Sequence, residues 1–258
     1  VIGSMEDLDA STLDDVAEFF RTYYVPNNAV LSVAGDIVPE RALEAVERWF
    51  GEIPGGGSIP PLPGSPEVAP LIGDTVHERV RADVPLPRVI VACRIPVLMD
   101  ERFPAVEVAG ALLGTGRASR LYRSLVRERR LAKDVVAYVF PLVTGASMLM
   151  VWATGYPGAA PDTLEAALLE ELEGLATAGE EEVERAVALT DTRYVRTLER
   201  VSERADLFSM ATLFFDDPDR VNSEMDRIRA VTPADVRAVA NRFLGPDNRA
   251  ILVYEPQT

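Results

Sequence analysis

The sequence predicts an α+β fold made from a duplicated unit, in which helices pack on a mainly antiparallel sheet. One complete unit is expected to follow the C-terminal remnant of a preceding unit. The first observation behind this prediction is a repeat, because residues 12–33 recur without a gap at residues 232–253. The identical pairs are Thr12 and Thr232, Asp15 and Asp235, Val16 and Val236, Pro26 and Pro246, Asn28 and Asn248, and Val33 and Val253.

The second observation is the order of the elements expected beyond residue 70. Strands and helices come in blocks there, and a turn at Thr144-Gly145 joins two strands as a hairpin. Regular alternation would indicate a doubly wound parallel sheet, so the blocks favour the α+β class. The expected elements are strands at 75–82 and 88–95, helices at 101–114 and 118–130, strands near 134–141 and 147–154, a mostly helical stretch over 162–243, and a last strand over 249–254.

The first copy of the repeat predicts a helix, a turn and a strand. Thr12 is a good N-cap and Asp15 completes a capping box, so the helix is expected to begin there and to end at Pro26. Residues 29–34 are apolar and predict a buried strand, and a second helix is expected from Pro39.

The third observation is a segment rich in Gly and Pro. Residues 54–70 lack any periodicity, which indicates a linker between a remnant over 1–53 and a complete second unit over 71–258. Far more residues precede Thr232 in its unit than precede Thr12, so the chain is expected to be the C-terminal part of a longer protein. A remnant of this size cannot build an adequate core alone, and we expect it to dock on a neighbouring chain or on its own second unit.

Composition excludes several classes of protein. The formal net charge of -15 argues against a nucleic-acid binder, because affinity for phosphates needs clustered Lys and Arg. The negative electrostatic field of such a chain favours a basic peptide or another cationic partner. Acidic surfaces are, however, also common in proteins that bind nothing cationic. The single cysteine, Cys93, excludes an internal disulfide and is expected to be buried in an apolar strand. No stretch is long and apolar enough to span a membrane; the compartment stays open, with the cytoplasm favoured.

Three further features have structural explanations. His77 has no other His or Cys nearby in the sequence for a metal site, and a Ser-His-Asp set would depend on it alone as the base. The acidic run Glu180–Glu182 complements the dipole at a helix start. Gly114-Thr-Gly116 lacks the later residues of the phosphate-binding loops and predicts a tight turn between helices.

Three stretches carry a resemblance to a known family. Their order and spacing resemble the pitrilysin family of zinc peptidases, which includes insulin-degrading enzyme and the mitochondrial processing peptidases. The resemblance implies that the duplicated α+β unit is the family's building block. The stretches are Ile2-Gly3-Ser4-Met5-Glu6-Asp7-Leu8, Tyr23 to Ala29 continuing to Ala34-Gly35-Asp36, and Gly114 to Tyr122 continuing from Leu125 to Ala132.

The resemblance implies where the catalytic metal belongs. The family's signature is His-x-x-Glu-His on a helix of the first unit, where two His bind zinc and the Glu polarises the bound water. This chain has one histidine, so we expect no metal or catalytic residue in it and place zinc in the preceding part of the parent protein. Counted back from Gly114-Thr115, the motif's positions in the second unit fall on Ala105, Val108 and Ala109.

The resemblance also implies two substrate-binding candidates. Some family members place an Arg and a Tyr from the partner half near the substrate carbonyl. The counterpart of the Arg is Arg127, whereas the usual place of the Tyr holds Lys133 and Asp134, and the first tyrosine is Tyr138. The competing interpretations are a solvated arginine on a helix face and a tyrosine that packs on a sheet.

These observations predict the C-terminal, substrate-enclosing part of a zinc-dependent metalloendopeptidase that cleaves peptides, a part that is inactive alone. The expected partners are a peptide substrate and a second copy or partner subunit that completes a chamber. An alternative is a non-catalytic family subunit that acts as a scaffold or as the partner of an active peptidase subunit. A third possibility is a plain peptide-binding module.

Overall fold

The computed structural model describes residues 3–61 and 68–257. The chain divides into two compact bodies. The smaller body comprises Val1–Gly64 and Leu198–Val221, and the larger body comprises Ser65–Thr197 and Asn222–Thr258. Part of the expected linker over 54–70, residues 62–67, lies outside the described residues, and the boundaries 1–53, 54–70 and 71–258 stay a prediction.

One five-stranded sheet forms the centre of the larger body, and it confirms the predicted α+β class. The strand order is β1-β5-β2-β4-β3, in which only the β1–β5 pair is parallel. The strands are β1 (Thr75–Ala82), β2 (Arg88–Ile95), β3 (Ala132–Phe140), β4 (Ser147–Gly155) and β5 (Arg249–Pro256).

Helices cover one face of this sheet. Helix α4 (Phe103–Gly114) packs on β3, α5 (Pro161–Gly174) packs on β2 and β4, and α9 (Pro233–Phe243) packs on α4 and β2. The alternation of buried and less buried residues along β2 and β4 explains why one face is core, since successive side chains of a strand point to opposite faces. The remaining helices of the chain are α6 (Glu180–Leu198), α7 (Val201–Phe215) and α8 (Arg220–Arg229).

Helix α4 approaches β3 unusually closely at its last residue. A Cβ built on Gly114 would lie 2.6 Å from both the backbone nitrogen and the Cβ of Ala137. The sequence suggests a helix stop at this glycine, and the structure adds a second reason for it, because any side chain would force the helix away from the sheet.

The smaller body contains the first copy of the repeat. Besides α7, it contains the helices α1 (Met5–Ala10), α2 (Leu13–Tyr23) and α3 (Pro39–Phe50), with a 3-10 turn over Pro26–Asn28. The start of α2 matches the prediction, since Thr12 caps it and forms a capping box with Asp15. The second copy has the same device, a capping box of Thr232 and Asp235 that opens α9.

The prediction of a buried strand over residues 29–34 is wrong for the part of the chain that the structure describes. No strand is formed there, and Val30, Leu31 and Val33 are exposed. The equivalent segment of the second copy is β5, which lies between β1 and β2. A strand needs neighbours for its backbone hydrogen bonds, and the described residues supply none to this segment.

The expected helix over 118–130 takes an unusual form. Tyr122–Glu128 is a π-helix, in which the backbone N–H of Arg129 donates to the carbonyl oxygen of Ser124 at 2.9 Å. Arg130 follows with a φ of 49°, a left-handed conformation that is uncommon for a side chain of this size. This turn leads directly into β3.

Candidate functional site

Helix α4 holds the positions that correspond to the zinc motif, and they are part of the hydrophobic core. Val108 is fully buried, and Ala105 and Ala109 are almost so. Their methyl and isopropyl groups offer no electron pair to a metal. The side chains at the three positions therefore stabilise the domain by burial, not by coordination.

A cleft of about 580 Å³ opens at the N-terminal end of α4, beside Ala105. Its charged lining consists of three arginines and two carboxylates. One arginine, Arg102, is held by Asp100 through a 2.7 Å hydrogen bond. The lining residues are Glu101, Arg102, Pro104, Ala105, Arg227, Ala230, Val231, Asp235, Ala238, Val239, Arg242 and Phe243.

The residues present do not fit a zinc ion. Over residues 3–61 and 68–257, no group of three or more His, Cys, Asp or Glu side chains is placed to hold a metal. A metal-dependent step therefore has no ligand set in the described part of this chain.

One carboxyl group close to these positions is strongly perturbed. Burial raises the pKa of Glu107 on α4 to about 7, and the negative charge of Glu224 acts in the same direction. The positive charges of Arg193 and Arg227 oppose the shift without cancelling it. A substantial fraction of Glu107 is therefore protonated at neutral pH.

Arg127 lies on the exposed side of the π-helix. Leu125 and Ser124 on the other side are buried, which fixes the direction of the segment. Within the described ranges, Arg127 has no hydrogen bond or ion pair, whereas Arg129 is paired with Glu170 at 2.7 Å. The guanidinium of Arg127 is thus available to an incoming group.

Tyr138 lies on β3, at the edge of the sheet, and it is 47% exposed. Its ring contacts that of Phe140, with centroids 6.2 Å apart. No hydrogen bond joins Tyr138 to Arg127 among the described residues. In sequence they are separated by the end of the π-helix, the turn at Arg130 and most of β3.

Tyr138 belongs to the sheet face opposite the helices. Its register partner on β4 is Met150, and Phe140 and Val136 are paired with Met148 and Trp152. Register partners share a face, so these side chains form one apolar surface with two exposed aromatic rings at its edge. The sequence analysis identified only Tyr138 on this surface. The alternation of side chains along β3 and β4 is the sequence signal that would have identified its neighbours on the same face.

Two further residues named in the sequence analysis, His77 and Cys93, have structural roles. His77 lies on β1 and pairs with Glu165 at 3.0 Å. Cys93 is almost fully buried in β2, as predicted, and burial raises the pKa of its thiol to about 12. A thiol with such a pKa is not a nucleophile at neutral pH.

The fold and this site together define an α+β domain, in which the helix that holds the positions of the zinc motif is packed as core. A family model for the peptidase M16 inactive domain matches residues 10–190. The chain belongs to this family, which confirms the resemblance to the pitrilysin-type zinc peptidases.

Curated relatives support this assignment, and a solved structure matches the fold. An uncharacterized zinc protease of Streptomyces coelicolor is 28% identical over 95% of this chain and 54% of its own length. The zinc protease PqqE of Helicobacter pylori is 28% identical over 81% of this chain and 47% of its own length. A protease structure from Helicobacter pylori matches the fold with a TM-score of 0.86 at 23% identity, over 99% of this chain and 62% of that chain. The chain thus spans about half the length of the curated relatives it matches.

No helix in the described residues is both long enough and apolar enough to cross a lipid bilayer.

Proposed function

We propose that this chain is the substrate-enclosing C-terminal part of a zinc-dependent metalloendopeptidase and is inactive by itself. The observation that carries the proposal is the apolar burial of Ala105, Val108 and Ala109 on α4 in a family whose relatives are named zinc proteases. Because these positions cannot ligate zinc, the metal and the water-activating glutamate belong to another part of the protein.

The contribution of this chain is then a wall for the peptide. The open sheet face with Tyr138 and Phe140 at its edge offers apolar contacts, and Arg127 offers hydrogen-bond donors to a peptide carbonyl. A guanidinium in this role stabilises the oxygen on which negative charge develops during attack by water.

The exposed apolar surface of the smaller body supports the proposal that another part of the protein, or another subunit, covers it. Large apolar side chains of α2 and α3 are exposed, and so are those of the segment over residues 29–34. Exposed apolar area of this extent favours a covering partner, either the rest of the first unit or a second subunit. The exposed residues are Leu13, Val16, Phe19, Phe20, Val30, Leu31, Val33, Leu43, Trp49 and Phe50.

The test compares the full-length protein with this chain for zinc content and for cleavage of quenched fluorescent peptides. We expect about one zinc and chelator-sensitive cleavage in the full-length protein only. In that protein, Arg127→Ala should lower kcat/KM by about tenfold, and Tyr138→Phe should have a smaller effect. Arg196→Ala, an exposed arginine on α6, is the matched control and should leave kcat/KM unchanged.

The alternative of a scaffold or partner subunit gives a different result. A full-length protein without zinc that cleaves nothing alone, yet increases the activity of a zinc-containing family member, would replace the proposed function. Cleavage by the isolated chain would contradict both.

A further inference from the structure

The basic residues of this acidic protein are concentrated in one segment. Residues 117–133 contain six arginines, one lysine and a single acidic residue, Glu128, whereas the whole chain has 26 basic and 41 acidic residues. We name this segment the arginine segment. This segment is positively charged, whereas the rest of the chain is negatively charged. An anionic group is therefore attracted to this part of the molecule.

Several charges of the arginine segment are already neutralised. Arg120 is held by Glu182, with Nε at 2.9 Å from the carboxylate, and Arg129 is held by Glu170. Arg123 lies 3.9 Å from Glu128. The first two pairs use acidic groups of α6 and α5, and the third uses the segment's own Glu128.

Four exposed cations of the segment have no such partner. Across the described parts of the chain, Arg117, Arg127, Arg130 and Lys133 make no ion pair. Exposed like charges repel one another, and a carboxylate placed among them relieves that repulsion.

The arginine segment leads into an edge strand. Arg130 turns the chain in its left-handed conformation, and Lys133 lies in a bulge at the start of β3, between Ala132 and Asp134. Within the described sheet β3 pairs only with β4. An extended peptide can therefore bond along the other edge of β3, which begins close to Arg130 and Lys133.

We infer that the arginine segment binds an acidic stretch of an extended peptide, and that β3 supplies backbone contacts to the same peptide. This inference rests on the proposed function, because it names the class of peptide that the enclosing wall selects. Backbone pairing is independent of sequence, whereas the cations discriminate carboxylate from amide side chains. The expected preference is for Glu or Asp over Gln or Asn in the stretch beside Arg127, Arg130 and Lys133.

The test is equilibrium binding, measured by fluorescence anisotropy on the full-length protein with its zinc removed by a chelator, so that cleavage is not needed. The probes are two short labelled peptides that differ only in Glu against Gln. The Glu peptide should bind about fivefold more tightly at low salt, and the preference should fall as the salt rises to about 300 mM.

Substitutions test whether the preference for Glu over Gln comes from the arginine segment. The double substitution Arg130→Gln and Lys133→Gln should remove most of the preference, whereas Arg130→Lys should keep most of it because the charge remains. The control pair Arg41→Gln and Arg196→Gln removes the same charge from exposed positions elsewhere and should leave the preference intact. Thermal unfolding of each variant checks that the fold is retained.

Equal binding of the two peptides would overturn the inference. Equal loss in the test and control pairs would also overturn it, because the effect would then be one of net charge. A change in self-association instead of peptide binding, seen by sedimentation, would show that the segment docks a second copy and would likewise overturn it. A protein that keeps the acidic preference but holds no zinc would contradict the proposed function and leave the peptide site standing.

Discussion

Asn28 and Asn248 make the same hydrogen bond at equivalent places in the two copies of the repeat. The Nδ2 group of Asn28 donates to the carbonyl oxygen of Tyr23 at 2.9 Å, and that of Asn248 donates to the carbonyl oxygen of Phe243 at 2.6 Å. Among the residues that the structure describes, only Asn248 has further side-chain partners, the carbonyl oxygen of Arg94 and the backbone N–H of Ile72. The first copy thus keeps the local geometry without the surrounding sheet.

This difference predicts unequal effects of one substitution. Asn248→Ala should lower the free energy of unfolding of the chain by about 3 kcal/mol, because it leaves buried backbone groups unpaired. Asn28→Ala should cost only about 0.5 kcal/mol, since Asn28 is exposed. Urea unfolding of both variants measures the two effects.

The same pair tests the covering of the smaller body. If the rest of the first unit covers residues 29–34 in the full-length protein, Asn28→Ala should become as destabilising in that protein as Asn248→Ala. An equally small effect of Asn28→Ala in both proteins would argue against the covering.

Close packing of α4 on β3 gives a second prediction. Gly114→Ala should lower the free energy of unfolding by about 2 kcal/mol, because the new methyl group meets the backbone of Ala137. Gly179→Ala is the matched control, as nothing lies within 4 Å of the Cβ position there. Thermal unfolding should show a clear decrease for Gly114→Ala alone, and similar behaviour of the two variants would contradict the predicted clash.

A third prediction concerns pH. The pKa of Glu107 is raised from 4.5 to about 7 in the folded protein, so the folded state binds a proton that the unfolded state releases. This contribution to stability is complete below about pH 4.5 and is lost as the pH rises through about 7.

Glu107→Gln removes this titration. The variant should therefore be more stable than the parent chain by roughly 2 kcal/mol at pH 8, with little difference at pH 5. Glu101→Gln, an exposed neighbour in sequence, is the control. Parallel stability curves for Glu107→Gln and the unchanged chain between pH 5 and 8 would refute the assignment.

The thiol of Cys93 provides a fourth prediction. Because it is buried and its pKa is raised to about 12, a thiol reagent should not modify the native protein at neutral pH. Modification should begin only in denaturant. Ala118→Cys places a thiol at an exposed position and should react at once, so rapid reaction of native Cys93 would show that the core opens.

Local sequence signals predict the elements whose partners are included in the chain. The strands at 75–82 and 88–95 are predicted with the bounds that the structure shows, and the capping boxes at Thr12 and Thr232 both form. Residues 29–34 carry the same apolar pattern as β5, yet they form no strand because pairing depends on neighbours and not on propensity.

The site is less accessible to sequence reasoning for a different reason. Burial of Ala105, Val108 and Ala109 follows from apolar side chains on a helix, whereas the raised pKa of Glu107 depends first on its burial and then on the charge of Glu224, which is distant in sequence. The π-helix over Tyr122–Glu128 has no simple signature, since its residues are also compatible with an α-helix. Tertiary surroundings, not local pattern, decide these features.

The place of β5 between β1 and β2 determines when the larger body can be completed during synthesis. Of the five strands of this sheet, the last to leave the ribosome is the one that joins β1 to the other strands. Until residues 249–256 emerge, β1 has no partner among the described strands, and the β2-β4-β3 ribbon keeps two open edges. A nascent chain therefore holds these strands in two unjoined pieces until residues 249–256 have been translated, and a loss of those residues would leave it so permanently.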